Sequence, residues 1–200
     1  EIARIYGYDR LPETRISDAL PPQRGNPRLT REEKLRDVLA GLGLQEVISH
    51  RLTAPEREAR RLPAGTPPDD KPYLRLNNPI ASDRAVLRHS LLNSLLEIVE
   101  RNARVRERIA IFEVGPIFLA SEFGSLPDEI DRLAIVLTGP RSQAGWQPAD
   151  QGALDFYDLK GVLETILAGL HVSGASYRPG QHPSFHPGKC AQVIHNGQQI

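Results

Sequence analysis

The chain has little cysteine, no excess of charge of either sign and no long apolar run. Its single cysteine, Cys190, excludes an internal disulfide and, by itself, a cysteine-rich zinc site, which fits a reducing compartment. The 25 basic and 25 acidic side chains cancel, so no overall field draws the chain to nucleic acid or to a membrane. No apolar run approaches the roughly 20 residues that cross a bilayer. The sequence therefore predicts a cytoplasmic protein.

The ends of the sequence predict a piece of a longer chain. The first residue is Glu1 rather than methionine, and Asn196-Gly197 predicts a tight hairpin turn whose return strand has barely begun at Ile200. With 200 residues and 40% hydrophobic residues, the chain has room for one ordinary domain, or for one domain with an appended piece.

The spacing of apolar residues and prolines predicts three parts. Residues 1–8 carry apolar side chains at helical spacing before Gly7, which is typical of the end of a helix from a preceding domain. Residues 9–27 contain four prolines and no apolar period, which favours an extended linker. Residues 28–200 then form the main module.

Regular patterns in the module predict three helices and several strands. The first helix has Thr30 and Glu33 in the spacing of a capping box, and Gly43 where it would end. Its predicted apolar stripe consists of Leu35, Val38, Leu39 and Leu42. The other predicted elements are helices over 91–102 and 159–170, and strands over 45–53, 109–114, 117–119 and 132–138.

This order of elements favours an α+β domain with a mainly antiparallel sheet flanked by helices, which we expect on one face. Leu95 and Leu163 lie in the middle of the apolar stripes of their helices, so we expect both in the core. Composition and periodicity alone do not indicate a function.

Five segments of the sequence resemble the beta chain of bacterial phenylalanyl-tRNA synthetase, in the order of that family. They are residues 1–9 (EIARIYGYD), 87–92 (LRHSLL), 111–115 (IFEVG), 155–161 (DFYDLKG) and 186–191 (HPGKCA). The resemblance implies an enzyme of two alpha and two beta chains, a phenylalanine-tRNA ligase that attaches phenylalanine to its tRNA with ATP and magnesium. It also implies a degenerate copy of the class II synthetase catalytic domain, here truncated at its C-terminus.

One position decides what the resemblance implies about catalysis. In active class II domains an arginine binds the α-phosphate of ATP, because its planar cation offers paired donors. The residue at the corresponding place here is Leu119, directly after the strand sequence Gly-Pro-Ile-Phe. A leucine cannot hold a phosphate, so the resemblance implies a noncatalytic module that supports the alpha chain. The alternative is an active ATP-dependent ligase domain.

The resemblance also implies a magnesium ligand and a partner surface. Glu1 matches the second residue of a Glu-Glu pair in the family's magnesium site, and hard oxygen ligands suit this ion. Because the other ligands would precede this sequence, we expect Glu1 to be an unpaired carboxylate. The helix from Thr30 to Leu42 matches a class II interface helix, and we expect Leu35 and Leu42 on its partner side.

Three further clusters are open to two interpretations each. His182, His186 and Cys190 recur every four residues like zinc ligands, but the intervening prolines would break a helix, so ordinary loop and strand roles are favoured. Asp155 and Asp158, with Lys160 nearby, suit either acid-base chemistry or capping of the helix that follows, and position favours capping.

The densest basic cluster consists of Arg101, Arg104, Arg106 and Arg108. It suits phosphate contacts, or cations at the end of a helix that Glu97, Glu100 and Glu107 balance, which is the favoured interpretation. A stand-alone zinc-dependent or nucleic-acid-binding protein is the remaining alternative for the whole chain.

Overall fold

The computed structural model describes residues 1–15, 17, 22, 24–66, 71–121, 126–143, 145–146 and 150–200. Its α-helices are Ile2–Tyr6 (α1), Pro27–Gly41 (α2), Pro55–Ala59 (α3), Leu92–Asn102 (α4) and Phe156–Gly169 (α5). Its strands are Gln45–Glu46 (β1), Leu52–Thr53 (β2), Val86–Leu87 (β3), Ile109–Leu119 (β4), Asp128–Thr138 (β5), Ser176–Pro179 (β6), Ala191–His195 (β7) and Gln198–Gln199 (β8).

The central sheet has the order β1-β4-β5. Strands β4 and β5 pair antiparallel over their full length, and the short β1 pairs parallel with β4. Two smaller antiparallel sheets join β2 to β3, and β6 to β7 to β8. The predicted α+β class with a mainly antiparallel sheet is confirmed.

Helices cover both faces of the central sheet, so the expectation of one covered face is wrong. Phe112 and its neighbours on one face of β4 pack with Leu39 of α2 and Ile166 of α5. Ile111 and Ile117 on the other face pack with Leu95 of α4. The physical reason lies in β4 itself, which begins with four consecutive apolar residues and therefore has two apolar faces to bury.

The start of helix α2 differs from the prediction, whereas its end agrees with it. Its N-cap is Asn26, whose side chain accepts from the Leu29 N–H, and Pro27 occupies the first turn; the predicted capping box at Thr30 is therefore wrong. At the other end Gly43, at φ +80°, donates to Ala40 O, and Leu44 N donates to Leu39 O. This is a Schellman motif, so the predicted glycine stop is confirmed.

The apolar stripe of α2 faces the interior of the module. Leu35 and Val38 pack against the buried cluster around Leu39, and a Cβ on Gly169 of α5 would lie 3.0 Å from the Val38 side chain. The expectation that Leu35 lies on the partner side is therefore wrong, since α5 occupies that side of the helix. Leu42 is 38% exposed at the end of α2.

Helices α4 and α5 occupy the predicted segments. Leu95 of α4 is 0% exposed, which confirms it as a core residue. Leu163 of α5 is half-buried and packs against the edge of the core. Helix α5 begins at Phe156, three residues before the predicted start, because Asp155 caps it.

Strand β4 continues through Gly115 and Pro116, where two separate strands were expected. Phe118 N donates to Arg88 O on the side of β4 that faces away from β5. Since residues two apart in a strand point the same way, the Pro116 nitrogen also faces away from β5. The missing N–H therefore removes nothing from the β4-β5 pairing, and the strand does not break.

Further features lie outside the central sheet. The predicted turn at Asn196-Gly197 is confirmed, with both residues at positive φ between β7 and β8. Helix α1 ends at Gly7, and its Ile2 and Ile5 are exposed. In the described part of the chain, no helix has both the length and the apolarity to cross a membrane.

Candidate functional site

The end of β4, which the resemblance matches to the position of a phosphate-binding arginine, carries an apolar side chain. Leu119 pairs with Asp128 at the last position of the β4-β5 ladder. Its side chain packs against the buried cluster that contains Leu91 and Leu95. Leu119 thus belongs to the apolar packing of the α4 face and offers no charge to an anion.

The polar groups of this face instead centre on a buried ion pair. Arg88, which follows β3, is 1% exposed, and Glu113, in the middle of β4, is 2% exposed. Arg88 Nη1 lies 2.7 Å from Glu113 Oε1. Because both charges lie away from water, each depends on the other for its stability.

The ion pair is completed by a serine and a backbone carbonyl. Ser49 donates from Oγ to Glu113 Oε2 at 2.6 Å and from its backbone N to Oε1 at 3.3 Å. Arg88 donates from Nη1 to Ser49 Oγ at 2.8 Å and from Nε to Pro116 O at 3.0 Å. The network joins three segments that lie far apart in sequence. Its polar atoms form hydrogen bonds with one another.

A second buried carboxylate lies close by. Glu58 of α3 is 1% exposed; it accepts from the His89 backbone N at 3.0 Å and from the Tyr73 hydroxyl at 3.2 Å. The Tyr73 and His89 rings stack with their centroids 3.9 Å apart. Burial raises the pKa of Glu58 above its ordinary value, while the two hydrogen bonds act in the opposite direction.

Sequence reasoning missed these polar residues, although the sequence contains a signal for them. Glu113 stands between Phe112 and Val114 in an apolar strand, and Arg88 lies in the segment LRHSLL. A charge in an apolar strand needs a buried partner of opposite sign. The identity of that partner becomes known only from the fold, which brings Arg88 and Glu113 together. With exposures of 1% and 2%, neither charge can touch a dissolved substrate.

Asp155 and Asp158 form the capping box of α5, as position predicted. Asp155 accepts from the Tyr157 and Asp158 backbone N–H groups, and Asp158 accepts from the Asp155 N–H. Arg141 binds both carboxylates, and its hydrogen bond is the largest cause that lowers the pKa of Asp158. The capping interpretation is confirmed. Lys160 lies over the Tyr177 ring and pairs with Glu164.

The two histidines of the suspected zinc cluster serve local turns. His182 Nδ1 accepts from Ser184 N, and His186 Nδ1 accepts from Gly188 N, each at 3.1 Å. Cys190 is a half-buried free thiol at the start of β7. Within the described ranges, no group of three or more His, Cys, Asp or Glu residues could hold a metal ion.

The arginines at the end of α4 are not balanced by the predicted carboxylates. Glu97 instead binds Arg57 and Glu100 binds Arg60, both from the segment of α3. Arg101 donates to Glu97 O near the helix C-terminus, which agrees with the helix-end interpretation for this residue. Arg108 donates from Nε to Arg141 O at 3.3 Å. The side chains of Arg104 and Arg106 form no hydrogen bond or ion pair with any residue that the structure describes.

The Glu1 carboxylate is paired, contrary to the expectation. Arg4 lies one helical turn away, and its guanidinium contacts Glu1 Oε2 at 2.6 and 2.8 Å. A single carboxylate that already binds an arginine does not constitute a magnesium site.

The fold is shared with solved structures of aminoacyl-tRNA synthetases. Two structures of pyrrolysyl-tRNA synthetase from Desulfitobacterium hafniense superpose on this chain with TM-scores of 0.65, at 17% and 16% sequence identity. The superpositions cover 87% of this chain and 56% and 57% of those chains. The architecture is therefore that of a class II aminoacyl-tRNA synthetase domain.

Sequence comparison gives the family. The profile of the phenylalanyl tRNA synthetase beta chain CLM domain matches residues 11–200. The phenylalanine-tRNA ligase beta subunits of Syntrophus aciditrophicus, Bacillus thuringiensis and Symbiobacterium thermophilum are 37%, 36% and 38% identical over the whole chain. The chain belongs to the phenylalanyl-tRNA synthetase beta chain family. It spans 25%, 25% and 22% of the length of these three relatives.

Proposed function

We propose that this chain is a noncatalytic, structural module of a cytoplasmic phenylalanine-tRNA ligase. The whole enzyme would contain two alpha and two beta chains, bind phenylalanine tRNA and attach phenylalanine to it with ATP and magnesium. In this proposal the module supports the catalytic domain of the alpha chain and helps to hold the heterotetramer together. Family membership supports the proposal, because the matched relatives are beta subunits of that ligase.

The packing of Leu119 carries the noncatalytic part of the proposal. An ATP site at the end of β4 would need a cation that reaches the α-phosphate. Leu119 is apolar and packs under α4, while the nearby Arg88 is 1% exposed and bound to Glu113. Arg88 is therefore already committed to the fold and cannot serve in place of position 119.

The organisation of the whole beta chain is part of the proposal. We assign residues 1–8 to the end of a preceding helix-rich domain, 9–27 to a linker and 28–200 to the class II-like module. Glu1 binds Arg4, and among the described residues no group of carboxylates and histidines could hold a metal ion. Glu1 would contribute to such a site only together with carboxylates from another part of the beta chain.

The test is capture of the alpha chain by this module. A tagged protein of residues 1–200 is mixed with purified alpha chain, and complex formation is measured by sedimentation. We expect capture, together with no heat of binding when the tagged protein alone is titrated with ATP and magnesium. A folded bait that captures no alpha chain rejects the supporting role. ATP binding at micromolar concentration would favour the active ligase domain instead.

A further inference from the structure

Two adjoining clefts lie between α4 and the segment that follows α2. The first has a volume of about 430 Å³ and the second about 250 Å³. Val47 and Ile98 line both clefts, so the two meet at these side chains. We name the two clefts together the arginine groove. Its arginines are Arg57, Arg84, Arg101, Arg106 and Arg108.

The arginine groove carries a local excess of positive charge in a chain whose net charge is zero. Among the described residues that line it, Glu97 carries the only carboxylate. Glu97 is already bound to Arg57, with Arg57 Nη2 at 2.5 Å from Oε2 and Arg57 Nε at 3.0 Å from Oε1. That pair leaves four cations in the groove.

Two carboxylates near the groove are bound to arginines outside it. Glu46 on β1 pairs with Arg36 of α2, and Glu100 pairs with Arg60. By contrast, the guanidinium groups of Arg84 and Arg106 have no hydrogen-bond or ion-pair partner in the part of the chain that the structure describes. Their guanidinium groups are therefore available to an anion from outside the chain.

The floor of the groove favours a polypeptide over a nucleic acid. Val47 and Ile98 are apolar, and the neighbouring Ile48 is 91% exposed. The outer edge of β1 has no strand partner among the described residues. Apolar side chains beside the arginines, an exposed isoleucine and a free strand edge suit side chains and backbone of an extended peptide. A phosphate backbone would use the arginines and leave the apolar residues exposed.

We propose that the arginine groove binds an acidic segment of the alpha chain. Aspartate or glutamate side chains of that segment pair with Arg84, Arg101 and Arg106, and an apolar side chain packs on Val47 and Ile98. This inference rests on the proposed supporting function. It also gives that function a contact surface for the alpha chain. The apolar stripe of α2, including Leu35, does not provide one, because it packs inside the module. The groove begins at Gly43, directly after α2.

The experiment measures assembly of the full beta chain with the alpha chain, without tRNA. Arg84→Glu and Arg106→Glu are each expected to raise the dissociation constant at least tenfold at about 0.1 M salt, with a smaller effect at about 0.5 M because salt screens the repulsion. Arg84→Gln, which removes the charge and adds none, should have an intermediate effect. Arg84→Lys keeps the charge and should assemble better than Arg84→Gln.

The control is Arg178→Glu, a charge reversal on exposed β6 that lines neither cleft. It should assemble like the wild type. If the wild-type beta chain does not assemble with alpha, the proposed function fails. If it assembles and all Arg84 and Arg106 variants match it, the groove proposal fails while the supporting function stands. Normal assembly with weaker binding of tRNA to the assembled enzyme would assign the groove to RNA phosphate and overturn the acidic segment.

Discussion

Gly115 lies directly against the guanidinium of Arg88. A Cβ at position 115 would come within 2.9 Å of Arg88 Nη2, and hydrogen bonds to Glu113, Ser49 and Pro116 hold that guanidinium in place. The absence of a side chain at 115 is therefore what lets a buried arginine lie beside β4.

Gly115→Ala should destabilise the protein by about 1–3 kcal/mol, because the new methyl group displaces a buried, hydrogen-bonded guanidinium. Urea unfolding of the two proteins measures the difference. Gly161→Ala is the matched control, since a Cβ there meets no atom within 4 Å and the site lies inside α5. The control should gain up to about 1 kcal/mol from its better helix propensity. Equal stability of Gly115→Ala and the wild type would show that Arg88 moves freely.

Removing one partner of the buried ion pair should lower the free energy of unfolding far more than removing both partners. Arg88→Leu or Glu113→Leu leaves one unpaired buried charge and should cost about 3–5 kcal/mol. The double variant leaves none, so its loss should be much smaller than the sum of the two single losses. A double-mutant cycle from urea unfolding provides the measurement. Additive losses would contradict the direct coupling that the 2.7 Å contact implies.

Glu58 should make stability depend on pH. Its pKa lies above the ordinary 4.5, chiefly because it is buried, so the folded state holds this proton more tightly than the unfolded state. Its contribution to the free energy of unfolding is therefore complete below 4.5 and falls as the pH rises through the folded pKa.

The measurement for this effect compares the wild type with Glu58→Gln by urea unfolding at a series of pH values. The stability of the wild type relative to the variant should fall as the pH rises above 4.5. Glu56→Gln, on the exposed side of the same helix, is the control and should show no such trend. A relative stability that rises with pH would mean that hydrogen bonds, rather than burial, dominate the pKa of Glu58.

Two leucines with similar sequence patterns should differ in their cost of truncation. Leu95→Ala empties a 0% exposed site and should cost about 2–5 kcal/mol. Leu163 is half-buried at the edge of the core, so Leu163→Ala should cost less. Thermal unfolding of both variants gives the order. The reverse order would mean that α5 carries more of the core than α4 does.

The sequence was sufficient for the parts of the fold that local patterns determine. The stripe of α4, the cap at Asp155 and the turn at Asn196-Gly197 each depend on residues a few positions apart, and each prediction is confirmed. The prediction for the start of α2 was wrong because Asn26 and Thr30 are both residue types that favour the N-cap. Only Asn26 stands directly before the proline that begins the helix.

The candidate site was harder to predict because its partners come from distant segments. Arg88 and Glu113 are 25 residues apart, and Glu58 meets the backbone of His89 across 31 residues. No periodicity contains that information. Resemblance identified the segments around 88 and 113 without indicating that they carry a buried ion pair. The partners of Glu97 and Glu100 were missed for the same reason, since both come from the segment of α3.

Strand β5 forms the outer edge of the central sheet, and its edge has consequences for handling the protein. Within the described ranges, no strand pairs with the side of β5 that faces away from β4. Its first half carries Asp128, Glu129, Asp131 and Arg132, charges that discourage addition of another strand. Its second half, from Leu133 to Leu137, is uniformly apolar. Concentrated or partly unfolded samples should therefore aggregate first through residues 133–137, where one molecule can extend the sheet of the next.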